Sequence, residues 1–492
     1  MGNSPAAFTG AITVKDCINR APINGANEQI AAIGGIVGYL NGKGVVTLKS
    51  CSNFGEMNNS NGAAKNGTSA AEAFIAGIAG YLSTSLAAGS SIDGCTNRGA
   101  VKTVNRNIKS MGGIVSVFQT ANAVTIKGCH NYGTVTKNVL ARPTCAADYN
   151  DNTWYHSIAG IAGKVSLGDG SSIESCVNHS GADVWVNTAG GGAQVRMAGI
   201  AGYVIKCPKI ASCSNEAAVT YDNNATGGSY IAIGGVSGHV YATPVFDSCS
   251  NSGAVSSNRT QVNRIGGIIG SINKTSVTNC TNTGSITLNC EVQTANWQSA
   301  GGIAGFAEGS GDDALDISGN INRGAVVANM NTTNDRVAIG GILGMPYTAF
   351  NLTNNINYAS VTGVNAVSGG ACYVGGLFGQ EKEAANVSTF TGNKNYGDVE
   401  NKTTGSSKSC AGGLFGTFGK AASADGSNFG NVIGEVAGAV AGINAAAITA
   451  TLCDAVTVNG VTKANASDEA AWLCPANTGT ITPTYVAHSA GE

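Results

Sequence analysis

Residues 34–38 read Gly-Gly-Ile-Val-Gly and residues 51–57 read Cys-Ser-Asn-Phe-Gly-Glu-Met, and these two motifs decide the fold. The five consecutive positions of the first motif hold Gly or Ala, then Gly, then an aliphatic residue, then any residue, and finally Gly or Ser. It occurs eleven times at spacings of 32 to 47 residues, and the second motif follows it by 14 to 19 residues. Self-similarity at such a period is typical of a solenoid, in which stacked repeats bury one another's apolar faces.

Short runs of β-branched residues flank the second motif. They predict a strand, a tight turn at the Asn and Gly, and another strand. Each repeat supplies about three short strands, enough for one coil, so the sequence predicts an all-β, right-handed parallel β-helix of about 12 coils. We expect residues 1–11 to form an N-terminal extension or cap, residues 12–432 the repeat array, and residues 433–492 degenerate last coils and a C-terminal cap.

One asparagine occupies the same position in every copy of the second motif. Because equivalent residues of a β-helix stack, each side-chain amide can hydrogen-bond to its neighbours and to its own turn. The sequence therefore predicts an asparagine ladder, which is a structural device rather than a binding site. Its members are Asn19, Asn53, Asn97, Asn131, Asn178, Asn215, Asn251, Asn282, Asn322, Asn357, Asn395 and Asn428.

Eight of the fifteen cysteines lie two residues before a ladder asparagine. A stacked column of such side chains is best explained as small buried hydrophobic groups. Parallel side-chain vectors oppose disulfide formation between neighbouring turns. The remaining cysteines form no Cys-x-x-Cys pair, and no histidine lies beside them at zinc spacing. The sequence thus predicts no metal site and no cofactor.

The second residue of the first motif is Gly in all eleven copies. This recurrence predicts a positive φ, a bulge, or a close approach of two backbones. Strand alternation places the fourth residue of the motif on the outside. That position nevertheless holds Val37, Ile269, Leu343, Phe378 and Phe415. We therefore expect a loop, the terminal cap or another subunit to cover it, with cover from within the chain favoured.

Charge and hydropathy exclude several classes of partner. Charged residues make up 11% of the chain and the net charge is −2, which argues against nucleic acid and anionic membranes as partners. No apolar run approaches the roughly 20 residues of a transmembrane helix. The first residues lack the layout of a signal peptide. Because the composition is typical of surface β-solenoids, we expect an extracellular or cell-surface protein whose export signal has been removed.

The alternation of the two motifs resembles the GLUG-type repeats of β-helical surface proteins from gut Bacteroidetes and some Gram-positive bacteria. Residues 376–379 and 413–416 both read Gly-Leu-Phe-Gly, which matches the motif that names the family. The resemblance covers roughly residues 12–430. It implies a cell-surface or secreted location, often as a lipoprotein, with adhesin-like or unknown activity. The family motif contains no catalytic residue to carry over.

Aromatic residues in or beside the long insertions are the candidate ligand contacts, because flat rings can stack on sugars. They are Trp154, Tyr155, Trp185 and Trp297. The alternative is that these rings fold back and pack on the helix. The sequence shows no catalytic constellation and favours an adhesin-like surface protein that binds carbohydrate or a host surface protein. A polysaccharide-degrading β-helix enzyme, either a lyase or a glycoside hydrolase with paired carboxylates, and a spacer without ligand remain as alternatives.

Overall fold

The protein is an all-β solenoid, as the repeats predict. The computed structural model describes residues 8–25, 32–59, 73–104, 108–139, 156–188, 194–222, 230–258, 264–290, 297–308, 315–333, 337–347, 349–381, 387–418, 424–444, 447–453, 456–462 and 480–486. Every regular element in these ranges is a β-strand, and the strands stack in parallel in about ten turns. The chain forms two compact units, residues 1–254 (unit 1) and residues 255–492 (unit 2). No helix long and apolar enough to cross a membrane occurs among the described residues.

Five parallel sheets, named I to V in chain order, make up each unit. In unit 1, sheet I contains Ile12–Lys15, Val46–Lys49, Ser91–Asp93, Thr125–Lys127, Ser172–Glu174, Lys209–Ala211 and Val245–Asp247. Sheet II contains Ile18–Asn19, Ser52–Asn53, Thr96–Asn97, His130–Asn131, Val177–Asn178, Ser214–Asn215 and Ser250–Asn251. Sheet III contains Ile23–Asn24, Met57–Asn59, Val101–Thr103, Val135–Val139, Val184–Thr188 and Val219–Asp222. Sheet IV contains Ala32–Gly34, Ala73–Ala76, Ile108–Gly112, His156–Ala159, Val195–Ala198 and Ile231–Gly234. Sheet V contains Val37–Leu40, Ala79–Leu82, Val115–Gln119, Ala162–Ser166, Ala201–Lys206 and Ser237–Tyr241.

Unit 2 repeats this arrangement. Sheet I contains Ser276–Thr278, Leu315–Ser318, Phe350–Thr353 and Val387–Thr391. Sheet II contains Thr281–Asn282, Ile321–Asn322, Ile356–Asn357, Asn393–Asn395, Ala424–Asn428, Ala447–Cys453 and Thr480–Val486. Sheet III contains Val255–Asn258, Ile286–Asn289, Val326–Met330, Val361–Asn365, Val399–Asn401, Val432–Ile433, Thr457–Val458 and the antiparallel Val461–Thr462. Sheet IV contains Arg264–Gly266, Gln298–Gly301, Val337–Gly340, Cys372–Gly375, Ser409–Gly412 and Ala437–Gly438. Sheet V contains Ile269–Asn273, Ala304–Glu308, Leu343–Pro346, Phe378–Gln380, Phe415–Phe418 and Ala441–Asn444.

Each repeat forms one coil, but with five strands rather than the three expected from the sequence. The first motif is not one strand. It ends a strand of sheet IV, bends at its second and third residues, and begins a strand of sheet V. The bend interrupts strand alternation, so the third and fourth residues both point into the core. Ile114 and Val115 are fully buried, for example.

The expectation that the fourth residue of the first motif points outward is therefore wrong. Val37, Ile269, Leu343, Phe378 and Phe415 are at most 1% exposed. The rings of Phe378 and Phe415 lie in contact inside unit 2, with centroids 4.7 Å apart. The cover comes from within the chain, and these residues form no docking surface.

A second corner precedes eleven of the twelve ladder asparagines and was not predicted. The residue just before the cysteine position adopts a left-handed conformation, with φ between 52° and 68°. Such a conformation costs a residue other than Gly about 1–2 kcal/mol. Small polar residues and Gly therefore share the position. Its occupants are Asp16, Ser50, Gly94, Gly128, Ser175, Ser212, Ser248, Asn279, Gly319, Asn354 and Gly392.

The second glycine of the first motif lies against the asparagine ladder. A Cβ atom on Gly341 would lie 2.1 Å from the Gly376 carbonyl oxygen and 2.4 Å from Asn357 Cγ. The φ of Gly341 lies outside the left-handed region, so the prediction of a positive φ at this glycine is wrong. The prediction of a close approach between two backbones is confirmed. The bend between sheets IV and V thus projects into the coil and divides the core of unit 2 into two lobes.

Contacts on either side of the bend define these lobes. Between sheets I and V, Phe350 packs edge to face on Phe378, with centroids 5.8 Å apart. Between sheets III and IV, a Cβ on Gly363 would meet the side chains of Ile339 and Val374. Apolar side chains make up most of the buried residues of unit 2, and the buried polar ones include the ladder asparagines and groups such as Gln298 and Asn365.

The repeat pattern continues past the clean motifs. Gly438 pairs with Gly412, and Ala441 pairs with Phe415, so residues 438–442 are a degenerate first motif. Cys453 follows residue 438 by 15 residues, a spacing that predicts the cysteine position, but it does not occupy that position, because Asn428 pairs with Leu452. Leu452 therefore takes the ladder position in this turn.

Candidate functional site

The asparagine ladder is confirmed. In unit 1 each Nδ2 donates to Oδ1 of the next asparagine, at 2.7–2.9 Å, from Asn19 through Asn53, Asn97 and Asn131 to Asn251. In unit 2 the same bonds run from Asn282 to Asn428. Nδ2 also donates to a carbonyl of its own turn, as from Asn282 to Gly284. These side chains are buried from Asn53 onward, so they stabilise the coil and face no ligand.

The cysteine column beside the ladder contains free thiols. Cys51, Cys95 and Cys129 are fully buried, whereas Cys17 at the end of the column is exposed. Each thiol donates to the carbonyl two residues before it, as from Cys51 to Lys49 at 3.4 Å. These contacts agree with the expectation of small buried groups rather than disulfides.

Asparagine replaces the column cysteine in three turns of unit 2 and builds a second ladder. Asn320 Nδ2 donates to Asn355 Oδ1 at 2.9 Å, and Asn355 Nδ2 donates to Asn393 Oδ1 at 3.0 Å. The sequence shows the substitution, but only stacking reveals that the three amides bond to one another.

Trp185 lies on the outer face of sheet III in unit 1. Val184 and Val186 are fully buried, so strand alternation points the indole outward. Its Nε1 donates to Asp222 Oδ2 at 2.6 Å. Asp222 lies one turn further on and pairs with Asn187, so the indole reaches diagonally onto the neighbouring strand. This bond fixes the orientation of the ring, and the half-buried side chain keeps contact with solvent.

Polar side chains surround this indole on three consecutive turns. Thr136 pairs with Trp185, which pairs with Thr220. Asn187 Nδ2 donates to Asn138 Oδ1 at 3.3 Å. All of these side chains are half-buried. We name this surface the Trp185 face, and it consists of Thr136, Asn138, Trp185, Asn187, Thr220 and Asp222.

The other predicted aromatic contacts do not join this face. Trp154 and Tyr155 lie outside the described residues, in the stretch 140–155 that follows Val135–Val139. Trp297 belongs to unit 2 and packs on Phe306 and Tyr347, with centroids 6.0 and 5.3 Å away. Trp297 therefore packs on the coil, which is the alternative to contact with a ligand.

The residues that follow the ladder asparagines form an outward-facing column, exposed or half-buried, that sequence reasoning missed. Arg98 lies over the Tyr132 ring at 4.2 Å, and Tyr132 stacks on His179 at 4.0 Å. In unit 2 Tyr358 stacks on Tyr396 at 5.1 Å. The sequence signal for this column was the recurrence of aromatic and arginine side chains directly after the ladder asparagine. The outer column contains Arg20, Phe54, Arg98, Tyr132, His179, Glu216 and Ser252 in unit 1 and Thr283, Arg323, Tyr358, Tyr396 and Phe429 in unit 2.

Stacking along the outer column limits what it can bind. Ring faces contact the rings or guanidinium groups of adjacent turns, so mainly ring edges meet solvent. Each exposed cation–π contact contributes about 0.5–1 kcal/mol. A sugar that stacks on an aromatic residue needs an open ring face, which favours Trp185 over this column.

A polar depression of about 410 Å³ lies where sheet V ends in unit 1. Its lining includes Gln119, Ser166 and Lys206. Lys206 Nζ forms an ion pair with Asp169 at 2.9 Å. No aromatic ring lines this depression, so it offers hydrogen bonds but no stacking surface.

Lys137 and His156 form a buried basic pair between sheets III and IV of unit 1. Lys137 Nζ donates to the Ile108 carbonyl and bonds to His156 Nδ1. Burial, and secondarily Lys109, holds the pKa of Lys137 well below its ordinary value. Burial, with Lys137 and Lys109, likewise holds the pKa of His156 well below 6.5. His156 is thus neutral in the folded protein at neutral pH.

We expect this pair to make stability fall in mild acid. The unfolded chain binds a proton at His156 below pH 6.5, whereas the folded chain does so only at lower pH. Stability therefore decreases as pH falls below 6.5, by up to about 1.4 kcal/mol per pH unit. The measurement compares urea unfolding of the wild type and of Lys137→Met/His156→Leu between pH 7.5 and 5. A difference between them that stays constant over this range contradicts the prediction.

Within the described residues, no group of three or more His, Cys, Asp or Glu is arranged to hold a metal ion. Several carboxylates face lysine or arginine instead, as in Glu56 with Lys102 at 2.8 Å and Glu308 with Arg264 at 2.8 Å. The most promising binding surface is the Trp185 face. Comparison of the chain with protein-family models, curated proteins and solved structures finds no match.

Proposed function

We propose that this protein is a non-enzymatic, adhesin-like β-solenoid that binds glycans through the Trp185 face. The observation that carries the proposal is the indole of Trp185, held in one orientation on an outward sheet surface by its 2.6 Å hydrogen bond to Asp222. A ring fixed before binding loses little conformational entropy when a ligand stacks on it.

The chemistry around the indole matches a carbohydrate. Hydroxyl and amide groups of Thr136, Asn138, Asn187 and Thr220 can each donate and accept, as sugar hydroxyl groups do. Asp222 adds a carboxylate acceptor. Since these groups lie on three stacked strands about 4.8 Å apart, the face suits several sugar units of a chain rather than one small molecule.

A location outside the cell is part of the same proposal. It rests on the low charge of the chain, 11% charged residues, and on the resemblance of its repeats to GLUG-type surface proteins. The partner is then a glycan, free or carried by a host surface protein.

A glycan array followed by titration of the best ligand tests the proposal. We expect Trp185→Ala to weaken binding at least about tenfold, which corresponds to about 1.4 kcal/mol. Asp222→Ala keeps the Trp185 ring but removes the hydrogen bond that orients it, so we expect a smaller loss of affinity. Tyr358→Ala, in the outer column of unit 2, removes an equally aromatic but stacked side chain and should leave binding unchanged.

Three results would count against the proposal. The array detects no glycan, Trp185→Ala binds as tightly as the wild type, or the protein cleaves a polysaccharide from a panel of uronate and neutral polymers. The third result would favour a polysaccharide-degrading enzyme.

A further inference from the structure

Two of the five histidines in the chain meet on consecutive turns of unit 1. His130 lies in sheet II, and His179 occupies the next turn of the outer column. Their facing nitrogens, His130 Nδ1 and His179 Nε2, are 3.0 Å apart. Both side chains are half-buried, so an ion from solvent can reach the nitrogens. They are 49 residues apart in the chain, so no sequence spacing reveals the pair.

Glu216 lies beside the far nitrogen of His179. Its Oε2 lies 3.3 Å from His179 Nδ1, so it can accept a hydrogen bond from that nitrogen and favour the tautomer with the proton on Nδ1. The Nε2 atom then presents its lone pair toward His130. A carboxylate that accepts from the far nitrogen of a histidine is the usual partner of a metal-ligating imidazole.

The surroundings hold His179 in place. Its ring stacks on Tyr132 with centroids 4.0 Å apart and planes 6° apart, and Arg98 lies over Tyr132. Two imidazole nitrogens thus face each other at 3.0 Å before any ion binds.

We propose that His130 Nδ1 and His179 Nε2 bind one divalent transition-metal ion of the zinc or nickel class, with Glu216 as a positioning residue. Imidazole nitrogens lie about 2.0–2.1 Å from zinc, so two of them are about 3.3 Å apart in a tetrahedral site. The two nitrogens are 3.0 Å apart, so the rings need to move only slightly apart to admit the ion. On binding, the proton of His130 moves from Nδ1 to Nε2, and water completes the coordination.

Titration calorimetry with nickel chloride and with zinc chloride tests the site in untagged, chelator-treated full-length protein. All variants carry Cys17→Ser, because the exposed thiol of Cys17 is a competing ligand. His130→Ser and His179→Thr introduce residues that other turns carry at the same positions, Ser52 and Thr283, so the coil is expected to fold. Circular dichroism and unfolding midpoints verify that they do.

We expect one ion per chain in the Cys17→Ser protein and no detectable binding in either histidine variant. Glu216→Gln should weaken binding roughly tenfold while both ligands remain. The ion should also raise the unfolding midpoint of the Cys17→Ser protein in proportion to the logarithm of its concentration, since it joins two turns. Absence of binding, or equal binding by the folded His130→Ser/His179→Thr double variant, overturns the proposal.

Discussion

Replacing Asn357 by leucine will lower the free energy of unfolding by about 3–6 kcal/mol. Asn357 is fully buried in unit 2 and bonds to both neighbouring turns. Its Nδ2 donates to Asn395 Oδ1 and to the Ala359 carbonyl, each at 2.8 Å. Its Oδ1 accepts from Asn322 Nδ2 at 2.8 Å. Leucine fills a similar volume but satisfies none of these groups.

Unsatisfied polar groups account for the size of this effect. The substitution leaves a carbonyl, an amide oxygen and an amide N–H without their bonds in the core. Each such group costs about 1–3 kcal/mol. Leucine leaves no cavity, but its methyl groups cannot approach the neighbouring amides at 2.8 Å, so the loss combines broken hydrogen bonds with local repacking.

Urea unfolding followed by far-ultraviolet circular dichroism measures the loss. Asn329→Leu is the matched control, because Asn329 lies on the exposed face of sheet III in the same unit, where its Nδ2 donates to Asn289 Oδ1 at 2.8 Å. We expect the control to change stability by about 0.5 kcal/mol or less. Equal losses in the two variants would show that the ladder contributes no more than a surface pair.

The repeated residues could be predicted because each recurs at one spacing, and parallel stacking converts that recurrence into a column. Asn53 and Asn97 could be placed in contact from the sequence for this reason. The number of short strands in each coil could not be predicted from the sequence. The bend inside the first motif is set by a close approach of Gly341 to another turn, which no local pattern expresses.

The corner before each cysteine escaped prediction for a different reason. Ser175 and Asn354 adopt the same left-handed conformation as Gly128, so no single residue type marks the position. Each residue tolerates the strain because the stacked turns hold it in place.

The candidate site was predicted only in part. Trp185 could be chosen from its sequence, since an aromatic residue beside an insertion suggests a ligand contact. Its partner Asp222 could not, because the two residues lie 37 positions apart and meet only when turns stack. Trp297 carried the same signal and packs instead, because Phe306 of its own turn and Tyr347 of the next turn cover it.

Replacing Gly341 by alanine will destabilise the protein by about 2–4 kcal/mol. The new Cβ would lie 2.1 Å from the Gly376 carbonyl oxygen and 2.4 Å from two atoms of the Asn357 side chain. The Gly376 oxygen belongs to the backbone, so it can move away only if the bend itself shifts. Gly434→Ala is the control in the same unit, because its Cβ would meet only ordinary contacts of 3.4–3.5 Å. We expect that control to stay within about 1 kcal/mol of the wild type, by the same urea measurement.

A double-mutant cycle separates the two sources of strain at Gly341. Asn357→Ala removes the side-chain atoms that the new Cβ would meet, but leaves the Gly376 oxygen in place. The combined Gly341→Ala/Asn357→Ala variant should therefore lose less stability than the sum of the single variants, by about 0.5–3 kcal/mol. Strict additivity would place the whole cost on the backbone contact. The ladder would then stack independently of the glycine bend, contrary to the close contact between them.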